Sequence, residues 1–158
     1  MVDAATGTPE CLGEFMADAR LRLERALVAR FGVDDGVEAA HDAVLYAMEN
    51  WDRIAAMANP VGYLYRVGQT AGRRRAQRWD RLGLLAADPV TTDGPLDVDL
   101  QRALLQLRPE QRVAVVLVHG HGHTYAEAGA VLDVPTTTVT NHLHRGLARL
   151  RSILEEPS

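Results

Sequence analysis

The residues best suited to chemistry lie near the C-terminus on one polar helical face, and the chemistry open to them is hydrogen bonding and ion pairing. The segment TTTVTNHLHRGLARLR, residues 136–151, contains no aspartate or glutamate. Asparagine can pair with an adenine edge, arginine with guanine or a phosphate, and threonine hydroxyls with either. The candidate contact residues of this segment are Thr136, Thr137, Thr138, Thr140, Asn141, His144, Arg145 and Arg149.

The elements around this face predict a helix-turn-helix. Thr124 and Glu127 have the T-x-x-E spacing of a capping box, so a helix is expected to start at Tyr125. Asp133-Val134-Pro135 ends that helix after about Leu132. The apolar stripe of the second helix is Val139, Leu143, Leu147, Leu150 and Leu154. A short helix, a tight turn and an acid-free helix favour DNA binding, with Thr124 a further candidate contact. The alternative is a plain helical hairpin with a solvated polar face.

A basic segment lies before the predicted helix-turn-helix in the sequence. The run RRRAQRWDR, residues 73–81, has five arginines in nine positions and could contact several phosphates. Trp79, with Tyr63 or Tyr65, could stack on unpaired bases. The alternative is a solvated helix end, where arginines are favoured by the helix dipole.

Other reactive residues do not form a convincing site. His119, His121 and His123 alternate in a glycine-rich loop, and this spacing rarely closes a tetrahedral metal site. Cys11 is the only cysteine, so it cannot form an intrachain disulfide. No phosphate-binding loop, nucleophile elbow or H-E-x-x-H motif is present. We therefore expect no metal, no cofactor and no catalysis.

Composition points to helical domains. The 158 residues are 47% hydrophobic but only 5% aromatic, and alanine, leucine and valine dominate. The net charge is −4, yet residues 1–60 carry 11 acids against 5 arginines, while residues 61–87 carry 6 arginines against one acid. Such blocks indicate separate surfaces for separate partners. No signal peptide or membrane-spanning segment is expected, and the lone cysteine fits a reducing cytoplasm.

Turn signals divide the chain into two helical domains. Helices are expected from Thr8-Pro9 to Gly32, from Asp34 or Asp35, and from Asn59-Pro60. One face of the second helix carries Val37, Ala40, Val44, Ala47, Met48 and Trp51. The predicted fold class is all-α, with two small helical domains joined by a flexible linker and a helix-turn-helix in the four-helix C-terminal domain. The predicted boundaries are 1–10 (tail), 11–82 (first domain), 83–96 (linker), 97–154 (second domain) and 155–158 (tail).

Two segments resemble a known family. PVGYLYRVGQTAGRRR resembles the helix that reads the −10 promoter element in sigma-70 factors. The segment from Leu96 to Arg151 resembles their C-terminal domain, which reads the −35 element. The order of leading helix, L-R-P-E-Q-R start, capping box and T-V recognition helix is the more specific match. The two-domain layout resembles the extracytoplasmic-function (ECF) group.

The resemblance implies a role for each surface. The second helix would dock on the clamp helices of core RNA polymerase, and the second domain on its flap. Candidate polymerase contacts are Glu38, Asp42 and Glu49. The loop from Arg53 to Asn59 would capture a flipped −10 base. Candidate −10 contacts are Arg53, Asn59, Arg66, Gln69, Thr70, Arg73, Arg74, Arg75 and Arg78. An anti-sigma factor is a further candidate partner.

The implied function is promoter recognition and melting by a dissociable polymerase subunit. Two alternatives remain open at this point. The first is a stand-alone helix-turn-helix regulator that binds duplex DNA as a dimer. The second is a sigma-like protein that binds polymerase without reading a promoter. The latter remains because Thr140-Asn141-His142 replaces the Lys-Ser-Arg that family members often have, so two positive charges are lost.

Overall fold

The computed structural model describes residues 11–81 and 98–156, and all regular structure in these two ranges is helical. The N-terminal half, residues 11–81, comprises α1 Leu12–Phe31, α2 Val33–Ala55 and α3 Pro60–Arg81. The C-terminal half, residues 98–156, comprises α4 Val98–Leu105, α5 Pro109–Val115, a π-helical turn at Val116–Gly120, α6 Tyr125–Leu132 and α7 Thr136–Glu155. The predicted all-α class is confirmed. The predicted linker, 83–96, lies outside the described residues.

The N-terminal half is a three-helix bundle with a leucine core. Leu23 and Leu27 of α1 and Leu64 of α3 are fully buried. Two glycines of α3 allow α1 to pack closely: a Cβ at Gly68 would lie 2.5 Å from Leu27 Cδ1, and one at Gly72 would lie 2.5 Å from Cδ2 of Phe31. These distances are shorter than van der Waals contact, so a larger residue at either position would push the helices apart.

Several helix ends differ from the predicted ones. The first helix begins at Leu12, because Cys11 is extended and its Sγ accepts a hydrogen bond from the Glu14 amide. The predicted start at Thr8-Pro9 lies outside the described residues. The second helix continues to Ala55, past a kink at Asn50 (φ −128°, ψ 21°). The Asn50 side chain donates to the Tyr46 carbonyl at 3.0 Å, which supports the backbone at the kink.

The predicted starts and stops of the other helices agree better with the structure. Gly32 separates α1 from α2 with φ 93°, a conformation that glycine adopts without strain. Asn59 Oδ1 accepts from the Gly62 amide at 3.3 Å, so Asn59 caps α3 as expected. Two stripe positions were wrong: Met48 is 60% exposed and Leu154 is 48% exposed.

The C-terminal half adds its buried side chains to the same hydrophobic core. Leu117, Val131, Val139 and Leu143 are buried where α5, the π turn, α6 and α7 meet. Gly146 lets α7 approach α5, since a Cβ there would lie 3.0 Å from Val115 Cγ2. The first part of the predicted stripe of α7 therefore faces this core.

The two halves pack directly against each other. Helix α1 contacts α5 and the π turn, and α3 contacts α6. Arg112 of α5 is 7% exposed, and its guanidinium donates to the carbonyls of Ala29 at 2.7 Å and Arg30 at 3.0 Å. These carbonyls belong to the last turn of α1, where intrahelical donors run out. A side chain from one half thus completes a helix end of the other.

Among the described residues, no helix has both the length and the apolar character needed to cross a membrane.

Candidate nucleic-acid interface

The helix-turn-helix forms where the sequence predicts it. Thr124 Oγ1 accepts from the Glu127 amide at 3.0 Å, and Glu127 Oε1 accepts from the Thr124 amide at 3.0 Å. The hydrogen bond from the Thr124 backbone lowers the pKa of Glu127, which favours the ionised carboxylate that caps the helix. Asp133 ends α6 in the left-handed conformation, with φ 57° and ψ 48°. Pro135 then precedes the first turn of α7.

The polar face of α7 is available to a ligand. Six of its candidate residues are exposed: Thr136, Thr137, Asn141, His144, Arg145 and Arg149. Thr138 and Thr140 are half-buried, and the Thr140 hydroxyl donates to the Thr136 carbonyl at 3.0 Å. Thr124 is exposed, but its hydroxyl is occupied in the capping box. The first two turns of α7 thus present the exposed donors and acceptors that base-edge recognition needs.

A basic groove extends this face toward α5. It has a volume of about 350 Å³ and is lined by Gln106, Arg108, Gln111, Arg145 and Arg149. Three guanidiniums and two amides, with no carboxylate in the lining, suit a phosphate. Residues 106, 108 and 111 were not among the sequence candidates. The signal that could have found them is the group of polar and basic side chains on both sides of Pro109.

The basic stripe on α3 is partly free and partly engaged. Arg73, Arg74 and Arg78 are exposed. Arg75 instead donates to Glu38 of α2 at 3.2 Å, so these two residues are paired with each other. The side chains of Trp79 and Arg81 lie outside the described part of the structure.

The turn of the helix-turn-helix covers other −10 candidates. Arg66 Nη2 donates to Asp133 Oδ2 at 2.7 Å. Asn59 Nδ2 donates to the carbonyl of Ala130 at 2.8 Å and to Asp133 Oδ1 at 3.2 Å. Thr70 is exposed with its hydroxyl bonded to the Arg66 carbonyl, and Gln69 is half-buried. Two predicted DNA contacts are therefore occupied by the chain itself.

An aromatic cluster lies where α2 ends, beside the predicted base-capture loop. The Arg53 guanidinium lies 5.8 Å from the ring centre of Tyr46 and 5.7 Å from that of Tyr63. It also donates to both phenol oxygens, and the two hydroxyls are 3.1 Å apart. Hydrogen bonds from Tyr46 and then Arg53 lower the pKa of the Tyr63 phenol. Arg53 is in the last turn of α2, so the loop proper is shorter than predicted.

The sequence analysis did not single out Tyr46, although it lies two helical turns before Arg53 on the same helix. Tyr65, which we considered for stacking, is 3% exposed, and burial raises the pKa of its phenol. Tyr65 is therefore a core residue and cannot stack on a base. Tyr63 keeps that possibility, because it is only partly buried.

The acidic candidates lie on the outer side of α2. Glu38, Asp42 and Glu49 are all exposed. Leu45 and Met48 accompany them, with 56% and 60% of their surface exposed. Leu45 and Met48 therefore form a small exposed apolar patch beside these carboxylates.

The loop that carries His119, His121 and His123 contributes to the contact between the two halves. Arg25 Nη1 lies 3.1 Å from His123 Nε2, and His123 Nδ1 lies 3.9 Å from Glu127 Oε2. Burial lowers the pKa of His123, and Arg25 and Arg22 add to this effect while Glu127 opposes it. No group of three or more metal-ligating side chains occurs within residues 11–81 and 98–156.

Comparison with known proteins agrees with the geometry. Residues 97–150 match the family model described as sigma-70, region 4. The RNA polymerase sigma-E factor of Streptomyces avermitilis is 32% identical over 145 residues, covering 87% of this chain and 80% of that protein. The ECF RNA polymerase sigma factor SigE of Mycolicibacterium smegmatis is 47% identical over 66 residues, which are 42% of this chain and 26% of that protein.

A solved structure has the same fold. The sigma factor RpoE of Bartonella quintana, in complex with the anti-sigma factor NepR, superposes with a TM-score of 0.63 at 18% identity. The match covers 92% of this chain and 98% of RpoE. Together with the sequence relatives, these observations show that the chain belongs to the ECF group of the sigma-70 family, whose members have a role in transcription initiation.

Proposed function

We propose that this chain binds core RNA polymerase and directs initiation at specific promoters. Residues 11–82 act as the domain that reads and melts the −10 element, and residues 97–154 as the domain that reads the −35 element. The observation that carries this proposal is the exposed, acid-free face of α7 in a capped helix-turn-helix. Family membership supports it, and the basic face of α3 provides a second DNA-binding surface.

The −35 contact divides into base reading and backbone binding. Asn141 and the threonines of the first turns of α7 face the base edges, where an asparagine amide pairs with adenine. Arg145 and Arg149, with Arg108 and Gln111 in the basic groove, bind the phosphate backbone. The helical turn after Val139 carries Thr140-Asn141-His142 and no arginine or lysine. The C-terminal half alone therefore binds DNA weakly, and its binding depends on the contacts made by the rest of the complex.

The −10 contact combines charge with stacking. Arg73, Arg74 and Arg78 neutralise phosphates along α3. The cluster of Arg53, Tyr46 and Tyr63 offers an aromatic and cationic platform to a base that has left the duplex.

Helix α2 is the polymerase-binding surface. Asp42 and Glu49 surround the exposed Leu45 and Met48, so the surface suits a partner with basic and apolar side chains. Glu38 contacts polymerase after its ion pair with Arg75 is broken. The chain supplies no catalysis itself, works in the cytoplasm with polymerase, and is a candidate partner for an anti-sigma factor.

One experiment tests the proposal against its rivals. Purified chain is added to core RNA polymerase with a library of genomic promoter fragments, and the transcripts are sequenced. Transcripts that start at a shared sequence motif are the expected result. Binding to duplex DNA without any binding to polymerase would favour a stand-alone regulator. Polymerase binding without specific transcripts would favour a sigma-like protein that does not read promoters.

A further inference from the structure

Helix α2 changes direction at Asn50, three residues before Arg53 of the aromatic cluster. The backbone angles of Asn50, φ −128° and ψ 21°, are not helical, and the last turn of α2 follows from Trp51 to Ala55. Residues 46–54 contain neither proline nor glycine, so neither of these residues causes the kink. A side chain that enters the hydrogen-bond ladder of a helix is another common cause of a kink.

The side chain of Asn50 enters the ladder at this point. Its Nδ2 donates to the Tyr46 carbonyl at 3.0 Å. In a regular helix this carbonyl accepts from the backbone amide of residue 50, so the side chain donates where the helical hydrogen bond belongs. An asparagine that bonds to the backbone four residues earlier competes with regular helix, and its hydrogen bond stabilises the bent backbone.

The kink lies between two residues of the aromatic cluster that a straight helix would hold apart. Arg53 and Tyr46 are seven residues apart, which is about 10.5 Å along the axis of a straight helix. Helical side chains tilt toward the N-terminus, so the Tyr46 ring would lie still farther from the Arg53 backbone. In the structure, the Arg53 guanidinium donates to the Tyr46 hydroxyl and lies 5.8 Å from the ring centre. A bend between the two residues shortens the distance that the arginine has to span.

The rotation of the last turn of α2 determines where Arg53 lies. Ile54 is fully buried in the core, whereas the neighbouring Arg53 is exposed. Tyr63 of α3 completes the cluster, because its ring centre lies 5.7 Å from the Arg53 guanidinium and its hydroxyl lies 3.1 Å from that of Tyr46. One orientation of this turn therefore buries Ile54 and brings the arginine to both tyrosines.

We propose that Asn50 is a positioning residue for the cluster of Arg53, Tyr46 and Tyr63. It holds the kink that brings the Arg53 guanidinium beside both rings, and it acts through the backbone of α2 rather than by contact with DNA. With a straight helix, the guanidinium would leave the rings, and a base would meet two tyrosines without a cation beside them. Base capture by the cluster rests on the proposed function, whereas the placement of Arg53 by Asn50 does not.

Three substitutions at position 50 separate the hydrogen bond from the space that the side chain fills. Asn50→Ala removes the donor and favours a straight helix, because alanine has the highest helix propensity. Asn50→Asp keeps the shape of the side chain but places a carboxylate, which cannot donate, against the Tyr46 carbonyl. Asn50→Ser should keep part of the kink, because a serine hydroxyl can donate to the carbonyl four residues earlier.

NMR spectroscopy of the full chain with isotope-labelled arginine measures the position of Arg53. Its side chain lies beside two aromatic rings, so ring currents should shift its proton signals away from those of an exposed arginine such as Arg20. The spectrum of Arg53→Lys assigns the signal. Asn50→Ala and Asn50→Asp should lose most of the shift, and Asn50→Ser should keep part of it.

Asp52→Ala is the matched control. It truncates an exposed side chain in the same part of α2 and raises the helix propensity in the same way, but it leaves the bond to the Tyr46 carbonyl intact. It should keep the wild-type shift of Arg53. The positioning role is overturned if Asn50→Ala and Asn50→Asp keep the wild-type shift, or if Asp52→Ala loses it to the same extent.

A second measurement tests the connection to DNA. The probe is 20-nucleotide single-stranded DNA of random sequence with one 2-aminopurine, whose fluorescence falls when this base stacks on a ring, and it is added to the chain in complex with core RNA polymerase. Asn50→Ala should weaken binding of the stacked probe by about two- to fivefold, as expected for loss of an exposed cation–π contact. In an Arg53→Met background, Asn50→Ala should have no further effect, because both changes act through one guanidinium.

The two measurements distinguish the positioning role from the proposed function. If Asn50→Ala displaces Arg53 but leaves binding of the stacked probe unchanged, the positioning role stands and base capture by the cluster is overturned. If Asn50→Ala weakens binding equally with and without the Arg53 side chain, Asn50 does not act through Arg53, and the positioning role is overturned.

Discussion

Arg112 Nε donates to the carbonyl oxygen of Ala29 at 2.7 Å, although the two residues are 83 positions apart. The same guanidinium reaches the Arg30 carbonyl at 3.0 Å and that of Leu105 at 3.4 Å. One side chain therefore joins the end of α1, the end of α4 and the body of α5. Its removal should affect both halves of the molecule.

Arg112→Met keeps the apolar volume of the side chain but removes every donor. Two or three carbonyls then lose a partner, and we expect the free energy of unfolding to fall by about 1–3 kcal/mol. Thermal unfolding followed by circular dichroism measures the change. Arg102→Met is the control, because Arg102 is exposed. Equal midpoints for both variants would show that the buried contact contributes nothing to stability.

Acidification should weaken the contact between α1 and α6 through His123. A guanidinium can only donate, so the contact with Arg25 requires Nε2 to accept and the ring to be neutral. The charged groups that face this ring are Arg25 and Arg22 of α1 and Glu127 of α6, and the ring of His121 lies 6.4 Å away between ring centres. Burial and these arginines hold the pKa of His123 below its ordinary value despite the opposing Glu127. On acidification, His123 is therefore protonated in the unfolded chain at a higher pH than in the folded chain. The free energy of unfolding falls as the pH drops below about 6.5, the ordinary pKa of histidine.

The measurement is the unfolding midpoint in urea between about pH 7.5 and pH 5, above the ordinary pKa of the carboxylates. His123→Gln should remove part of the pH dependence. His144→Gln, at an exposed position of α7, should keep it. If the wild type, His123→Gln and His144→Gln all have the same pH dependence, then groups other than His123 cause it.

Asn141 and Arg149 should affect promoter binding in different ways. Asn141→Ala removes a base-edge contact, so it should cost about 1–3 kcal/mol at the preferred sequence and relax the preference at that position. Arg149→Ala removes a phosphate contact, so it should weaken all sequences alike and reduce the salt slope by about 1. Holoenzyme selection from a randomised −35 library, repeated at several salt concentrations, distinguishes the two. A uniform loss for Asn141→Ala would contradict its role in base reading.

Tyr63 should matter for melting through its ring rather than its hydroxyl. Stacking of a base on an aromatic ring contributes about 1–3 kcal/mol, so Tyr63→Ala should reduce open-complex formation by about 5- to 150-fold. Tyr63→Phe loses the hydrogen bonds to Tyr46 and Arg53 but should keep most activity. Permanganate reactivity of unpaired thymines reports the opening. If Tyr63→Phe is as defective as Tyr63→Ala, the hydroxyl network is the functional element.

Two glycine substitutions should differ in their effect on the free energy of unfolding. A Cβ at Gly36 would lie 2.6 Å from the backbone nitrogen of Val28, and backbone cannot move aside as a side chain can. Gly36→Ala should therefore destabilise the chain by about 1–3 kcal/mol. A Cβ at Gly13 meets only Cys11 Sγ at 3.8 Å, so Gly13→Ala should be neutral or stabilise by up to about 1 kcal/mol. Equal unfolding midpoints would argue against the tight contact between α1 and α2.

Local signals in the sequence were sufficient for the helix-turn-helix. The Thr124–Glu127 box, the stop at Asp133-Val134-Pro135 and the start at Asn59-Pro60 depend only on neighbours three or four residues away. The same holds for Gly32, whose positive φ separates two helices. These features are encoded in short segments, so sequence reasoning located them.

The contacts between the halves could not be predicted in this way. Arg112 reads as an ordinary polar position of an exposed helix start, and nothing near it in the sequence indicates that its partners are 82 and 83 residues away. Tyr65 and Tyr63 are equally aromatic in sequence, and only the packing of α3 buries one of them. Asp133 looked like a helix stop, whereas its carboxylate also binds two side chains of the other half. Such roles depend on tertiary packing, which periodicity does not describe.

The π-helical turn at Val116–Gly120 lies where the chain leaves α5 for the helix-turn-helix. The His121 amide donates to the Val116 carbonyl at 3.0 Å, five residues back, so the turn holds one residue more than an α-helix would. Each residue of an α-helix turns the chain by about 100°. Deleting Val118 should convert the turn to regular helix and redirect the chain by roughly that angle where it enters the loop before α6. The residue count of this short turn thus sets the direction in which the chain leaves α5 toward the helix-turn-helix.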